Sequence, residues 1–253
     1  MPMIETFPVG LNEFILLPKH STWTPSPEVS DDLVSIQKCF DPNWLTAENL
    51  ITKTASGRGF VYFFFALGES CVLRHYYRGG LVAKLSNDKF ISKALEQSRP
   101  YKELNLLAKL HSAGLKVPKP IAARLKRTSF AYTADIITAA IPNAQELHEY
   151  ILKQPLKHSI WEKIGATLHK MHDLQACHDD INVKNVLLQE DAEQSKTIYL
   201  LDFDGCRIRD GDAWKNANLA RFKRSLEKQK ARYSPYYYED DCWESIERGY
   251  RSL

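Results

Sequence analysis

Two short apolar runs, Val186-Leu187-Leu188 and Ile198-Tyr199-Leu200-Leu201, enclose a polar stretch from Glu190 to Lys196, and this arrangement limits the fold more tightly than any other feature of the sequence. Runs of that length around polar turn residues read as the two arms of a β-hairpin. A hairpin brings its ends together. Pairing of Leu188 near Tyr199 sets Asn185 opposite Asp202 at the open end, where an amide oxygen and a carboxylate can share one hard cation such as Mg²⁺. Asp180, on the turn that enters the hairpin, reaches the same space. A plain turn accounts for Asp180 or Asn185 alone, a solvated strand end accounts for Asp202 and Asp204, and a satisfied core histidine accounts for His178. The joint spacing His-x-Asp-x4-Asn with a later Asp at hairpin distance is a multi-part signal that none of those explanations requires.

Kinases set out their catalytic base, first metal ligand and second metal ligand in this order, so the pattern points to phosphoryl transfer. At 253 residues, 44% hydrophobic and 26% charged, the chain has the composition of an ordinary globular protein, long enough for one large domain or two small lobes. Its net charge of +3 is too small to argue for nucleic acid. Between Lys215 and Arg232 basic residues dominate, a pattern that suits either a solvated helix face or contact with anionic lipid or sugar phosphate. The cysteines, Cys39, Cys71, Cys177, Cys206 and Cys242, are odd in number, scattered and never in Cys-x-x-Cys, which fits a reducing compartment. His169, His172 and His178 lack a His-Glu-x-x-His frame, so no structural zinc is expected. The start carries no basic segment followed by an apolar core, and the longest apolar run, Phe60 to Leu67, is far too short to span a bilayer. The expectation is a cytosolic or peripherally attached protein.

Prolines at 18, 25, 27 and 42 make residues 1–45 read as an irregular arm with one short helix near Asp31 to Cys39. Leu50 to Thr54, Phe60 to Leu67 and Cys71 to Tyr77 read as consecutive antiparallel strands, joined through Ser56-Gly57-Arg58-Gly59 and through Gly68. Arg99 to His111 places Leu106, Leu107 and Leu110 at helical spacing, between Pro100 in the first turn and Gly114 at the exit. Glu103 lies on the same stripe and therefore needs a cation in the core. After a strand from Ala131 to Thr138, Ala139 to Asn143 reads as a hinge, and Ile160, Ile164, Leu168 and Met171 line a helix that leads to His178. The predicted class is α+β, a two-lobed protein-kinase-like fold. An N-terminal lobe over residues 1–138 holds an antiparallel sheet and one main helix, and a mainly helical catalytic lobe over 139–253 holds the hairpin, with an ATP cleft expected between lobes.

Val72-Leu73-Arg74-His75-Tyr76-Tyr77-Arg78-Gly79-Gly80-Leu81 resembles the Leu-Arg-His-Tyr-x-Arg-Gly-Gly signature of the kinases of 3-deoxy-D-manno-octulosonic acid (Kdo), a lipopolysaccharide kinase group within the protein-kinase-like fold. The Gly57-Arg58-Gly59 turn, the Arg99-x-x-x-Glu103 helix, Val117 to Arg124, Tyr132 to Thr138, and Asn218 to Lys228 are similar to that family as well. The resemblance covers most of the chain after residue 45. It implies transfer of the ATP γ-phosphate to the 4-hydroxyl of Kdo on Kdo-lipid IVA, in lipopolysaccharide core synthesis at the cytoplasmic face of a bacterial inner membrane. It also implies Asp180 as the catalytic Asp and Asn185 and Asp202 as Mg²⁺ ligands, while Asp204 replaces the usual Gly and either holds the following turn or assists a second metal.

The phosphate-contacting cation of the family falls on Arg74, paired with Glu103, with Lys84 as the alternative at a more usual spacing. The glycine loop is reduced to Gly57-x-Gly59. Asp179 stands where kinases regulated by a phosphorylated loop carry Arg, so that regulation is not expected. About fifty residues follow Asp202, too few for peptide-docking helices, which favours a small or lipid-linked acceptor. Arg78, Arg221 and Arg224 are the candidates for holding an anionic acceptor. Trp214, Trp243 and Tyr236 to Tyr238 read as core packing or as contacts to membrane and glycan. Competing readings are a phosphotransferase of the same fold acting on heptose, an aminoglycoside or choline, and a catalytically dead binding module.

Overall fold

The first strands of the structure lie where an irregular arm was expected, within residues 1–45. In this computed structural model, which describes residues 3–19, 21–23, 25, 30–56, 60–77, 88–91, 94–190 and 195–252, β1 (Ile4–Gly10) and β2 (Glu13–Pro18) form an antiparallel pair with Ile4 opposite Pro18. The prolines do not prevent this. Pro8 lies on an edge strand, where a missing N–H costs no ladder bond, and Pro18 is the last residue of its strand. The apolar run Ile15-Leu16-Leu17 is completely buried and supplies the driving force. Two helices follow, α1 (Ser30–Lys38) and α2 (Pro42–Ala47). The second is started by Asp41, whose carboxylate accepts from the Asn43 N–H at 2.9 Å, with Pro42 in the first turn. The first of these is the short helix expected near Asp31 to Cys39, whereas the six-residue α2 was not expected.

The chain divides into two units, Met1–Ala108 with Lys119–Ala140, and Lys109–Pro118 with Ile141–Leu253. The first is built on an antiparallel sheet. To β1 and β2 it adds β3 (Ile51–Ser56), β4 (Phe60–Ala66), β5 (Glu69–His75), β6 (Phe90–Ile91), β7 (Pro120–Arg127) and β8 (Ala131–Ala139). Among the described residues the order is β1-β2-β7-β8-β5-β4-β3, with β6 also pairing β8. α3 (Arg99–Ser112) buries Leu106, Leu107 and Leu110, the stripe expected from the sequence, and Leu104 besides. Ile15, Leu17, Phe64, Leu73, Ile121 and Ile137 of the sheet pack with Trp23, Ile36, Phe40 and Leu45 into one core.

The second unit contains β9 (Ala144–Glu146), α4 (Leu147–Ile151), α5 (His158–Asp173), β10 (Ala176–Cys177), β11 (Val186–Glu190), β12 (Lys196–Leu200), β13 (Arg207–Ile208), α6 (Lys215–Lys230) and α7 (Asp240–Arg251). The hairpin is present as β11 and β12, in the register Val186 to Leu200 and Leu187 to Tyr199, one residue from the pairing expected. Trp214, Trp243, Tyr236 and Tyr238 are buried, whereas Tyr237 is half exposed. α5 and α7 cross where each carries a glycine. A Cβ on Gly165 would strike the Ile246 carbonyl, and one on Gly249 the Glu162 carbonyl. Gly165→Ala and Gly249→Ala are each expected to destabilise the protein by about 3 kcal/mol, since the obstacle is backbone that cannot rotate aside. Thermal melts check this, and an unchanged midpoint would contradict the close crossing.

Candidate active site

The buried face of α5, with Ile160, Ile164, Leu168 and Met171, fixes the helix that delivers the chain through β10 to His178. His178 is fully buried and pins the loop from inside. Its Nδ1 accepts from the Asp180 N–H at 3.3 Å, so its Nε2–H donates to the Leu201 carbonyl at 2.8 Å. That arrangement needs the neutral ring, and burial holds the imidazole pKa below its usual 6.5. The Phe203 ring packs on it at 4.9 Å between centroids.

Asp180 is held by its backbone. Its carbonyl accepts from Asn182 Nδ2 and from Asn185 Nδ2, each at 2.9 Å, leaving its carboxylate exposed. The bond from Asn185 Nδ2 turns the Asn185 amide so that Oδ1 is the atom available to a cation. Leu201 N–H donates to the Asn185 carbonyl at 2.9 Å, which closes the open end of the hairpin and brings Asp202 next to Asn185 along the chain path. Asp202 adopts φ 59°, the left-handed region that Asp tolerates better than most side chains. An amide oxygen and a carboxylate carried to the same end of the hairpin are hard oxygen donors of the kind that suits Mg²⁺. Asp204 is half-buried in the turn closed by the Cys206 N–H donating to the Phe203 carbonyl at 3.0 Å. Asp179 meets Arg207, with 2.6 Å between Nη1 and Oδ2.

A second tier of residues, not anticipated from the sequence, supports the loop. Asn218 on α6 donates through Nδ2 to the His178 carbonyl at 2.7 Å. Its Oδ1 accepts from His172 Nε2–H at 3.0 Å, and His172 Nδ1 accepts from the Tyr250 hydroxyl at 2.8 Å. Ser225 Oγ accepts from the Val183 N–H at 3.0 Å. The visible signal was the spacing of Asn218, Arg221 and Ser225 along one helix, but nothing in that spacing reveals what it faces. A cavity of about 410 Å³ opens beside Asp180. Lys184, Arg221, Arg224, Ser225 and Lys228 line it, and Arg221 Nη1 lies 3.7 Å from Asp180 Oδ1.

Burial drives the His172 pKa from 6.5 down to about 4. The unfolded chain therefore binds a proton first as pH falls, so stability is full above 6.5 and is lost toward pH 4, by about 3 kcal/mol at 1.36 kcal/mol per unit. His75 acts in the opposite sense, because its hydrogen bond to Asp135 raises its pKa, and its contribution is present below 6.5 and lost as pH rises. Melting midpoints between pH 7 and 4 should drop for the wild type and drop less for His172→Gln. Parallel curves for the two proteins would contradict this assignment.

In the first unit, Arg74 on β5 donates through Nη2 to Glu103 Oε1 at 2.5 Å, and the Tyr76 hydroxyl donates to Glu103 Oε2 at 2.7 Å. Glu103 is 4% exposed, while 31% of the Arg74 side chain reaches solvent. The guanidinium also lies 5.0 Å from the Tyr76 ring centroid. Tyr76 was missed from the sequence, although a residue two places beyond Arg74 shares its strand face. Gly57, Gly59, Arg78 and Lys84 lie outside the described residues.

Residues 43–250 match the lipopolysaccharide kinase (Kdo/WaaP) family. The chain belongs to that family. Relatives of this Kdo/WaaP kinase include a 3-deoxy-D-manno-octulosonic acid kinase of Haemophilus influenzae, 45% identical over 82% of this chain and 87% of that one. Another from Actinobacillus succinogenes is 41% identical over 84% and 90%, and one from Vibrio vulnificus is 37% identical over 92% and 93%. A solved structure described as WaaP in complex with acyl carrier protein aligns with a TM-score of 0.57 and 14% identity over 86% of both chains, which shows the shared kinase-like α+β fold.

Proposed function

We propose that this family member transfers the γ-phosphate of ATP to the 4-hydroxyl of Kdo on Kdo-lipid IVA in lipopolysaccharide core synthesis, working at the cytoplasmic face of the inner membrane. The observation that carries the reading is the likeness, over 82% to 92% of this chain, to Kdo kinases at 37% to 45% identity. The site supplies the parts. Asp180 orients the sugar hydroxyl and accepts its proton as the new O–P bond forms and the bond from the γ-phosphorus to the bridging oxygen of ADP breaks. Asn185 Oδ1 and Asp202 would hold Mg²⁺, which when bound neutralises charge on the phosphates. Asp204 fits best as a residue of the turn. Arg74, braced by Glu103 and Tyr76, presents a charged fork suited to phosphate oxygens, and the Gly57-x-Gly59 stretch is assigned to the nucleotide.

The basic cavity beside Asp180 suits an acceptor that carries a carboxylate and phosphates, and Arg78 belongs to the same role. Replacing Arg221 and Arg224 together with Ala should raise the acceptor KM by roughly tenfold, with ATP KM nearly unchanged, and added salt should weaken acceptor use more than ATP use. An effect confined to ATP KM would assign these arginines to the nucleotide. An acceptor panel tests the function itself. ADP release is expected with Kdo-bearing acceptors and not with heptose, choline or an aminoglycoside. Preference for one of those three would replace the Kdo reading, and no release with any acceptor would favour a binding module.

A further inference from the structure

Turns at the end of a sheet are ordinarily polar, because Gly, Asn, Asp and Ser suit their backbone and water surrounds them. At one end of the sheet in the first unit this is reversed. Leu11 is 101% exposed, Phe130 87% and Ile91 69%, and these are the three most exposed large apolar side chains among the described residues. Strand pairing places them together. The Arg127 N–H donates to the Asn12 carbonyl at 2.7 Å, joining the β1–β2 turn that carries Leu11 to the end of β7. The Thr128 N–H donates to the Ala131 carbonyl at 2.7 Å, closing the turn that carries Phe130, and Ile91 pairs with Ala131. The result is three exposed apolar side chains at one end, or rim, of the sheet.

The charges around the rim have a sign. Lys126 and Lys89 are exposed, and Arg127 lies over the Phe14 ring at 5.2 Å. The acidic groups nearby are shared with basic partners: Glu13 lies 3.8 Å from both Arg124 and Lys126, so two cations face one carboxylate, and Asp88 lies 3.6 Å from His75. A small apolar set flanked by basic side chains matches the boundary between acyl chains and anionic headgroups, whereas three separate side chains offer little apolar area for a second copy of the chain to cover. Among the described residues no helix is long and apolar enough to cross a membrane.

We infer that this rim docks the enzyme on a bilayer rich in anionic lipid, with Leu11, Ile91 and Phe130 entering the acyl boundary and Lys89 and Lys126 meeting headgroup phosphates. The inference deepens the reading of the acceptor as lipid-linked and rests on it. Sedimentation with phosphatidylethanolamine vesicles, with and without phosphatidylglycerol, tests it. The wild type should partition onto the phosphatidylglycerol vesicles. Leu11→Asp combined with Phe130→Asp should weaken that partition at least about tenfold, at an unchanged melting midpoint and unchanged turnover of a water-soluble Kdo saccharide. Lys89→Glu with Lys126→Glu should abolish the preference for phosphatidylglycerol. Wild-type protein that stays in solution, or an apolar variant that partitions like the wild type, overturns the docking surface. So does a wild-type oligomer that the apolar variant dissociates, because the rim would then join copies of the chain. Failure of wild-type protein to phosphorylate the soluble saccharide would count against the acceptor reading instead, and the vesicle result would still decide the rim.

Discussion

Asp180→Asn should lose phosphotransfer by roughly 10²- to 10⁴-fold while keeping its fold and its affinity for ATP. The fold should survive because the loop is held through the Asp180 backbone, which contacts His178, Asn182 and Asn185, and not through the exposed carboxylate. An Asn side chain can still hydrogen-bond the acceptor hydroxyl but cannot take its proton, so the loss should appear in kcat. Asp202→Asn should lose a comparable amount of activity by a different route, with weaker Mg²⁺-ATP binding as well as slower chemistry. Nucleotide titration beside turnover separates the two variants. Wild-type turnover in the Asp180 variant would remove the base assignment, and equal loss of ATP affinity in both would merge the two roles.

Arg74→Ala should cost both stability and ATP use. The variant deletes the cation facing a carboxylate that is 4% exposed, a change expected to cost about 2–4 kcal/mol, toward the lower side of the fully buried range because part of Arg74 meets water. ATP KM should rise at the same time, since the proposed role of the braced guanidinium is to meet phosphate. Arg74→Lys should restore part of the stability and little of the ATP use, because an ammonium keeps the charge but loses the planar fork. Denaturant unfolding together with ATP kinetics reads both effects. If Arg74→Ala changes neither, the pair has no such role, and an ATP defect in Lys84→Ala would move the role there.

The parts of the molecule that were legible in the sequence are those set by local pattern. The hairpin follows from two apolar runs around a polar turn, and α3 from its leucine spacing. The buried position of Glu103 follows from its place on that stripe, and its need for a cation limited the partner to few residues. Within residues 1–45 the short helix near Asp31 was legible, but β1 and β2 were missed because prolines signal loops locally, and only the sheet order reveals that Pro8 sits on an edge strand where no ladder bond is lost. The support of His178 by Asn218, His172 and Tyr250 was not legible for a related reason. Those residues are far apart in the chain, and their hydrogen bonds depend on how α5, α6 and α7 pack. The Arg207 to Asp179 pair has the same origin, since it joins residues on either side of the hairpin.

The most direct test of the central claim is the mass and structure of the product formed from Kdo-lipid IVA. Purified protein would be incubated with ATP, Mg²⁺ and that acceptor, beside an Asp180→Asn control, and the lipid analysed by mass spectrometry with fragmentation. The expected result is an acceptor heavier by one phosphate, carried on the Kdo 4-hydroxyl, formed by the wild type and absent from the control. An unmodified acceptor, phosphate on another sugar, or equal product from the Asp180 variant would contradict it.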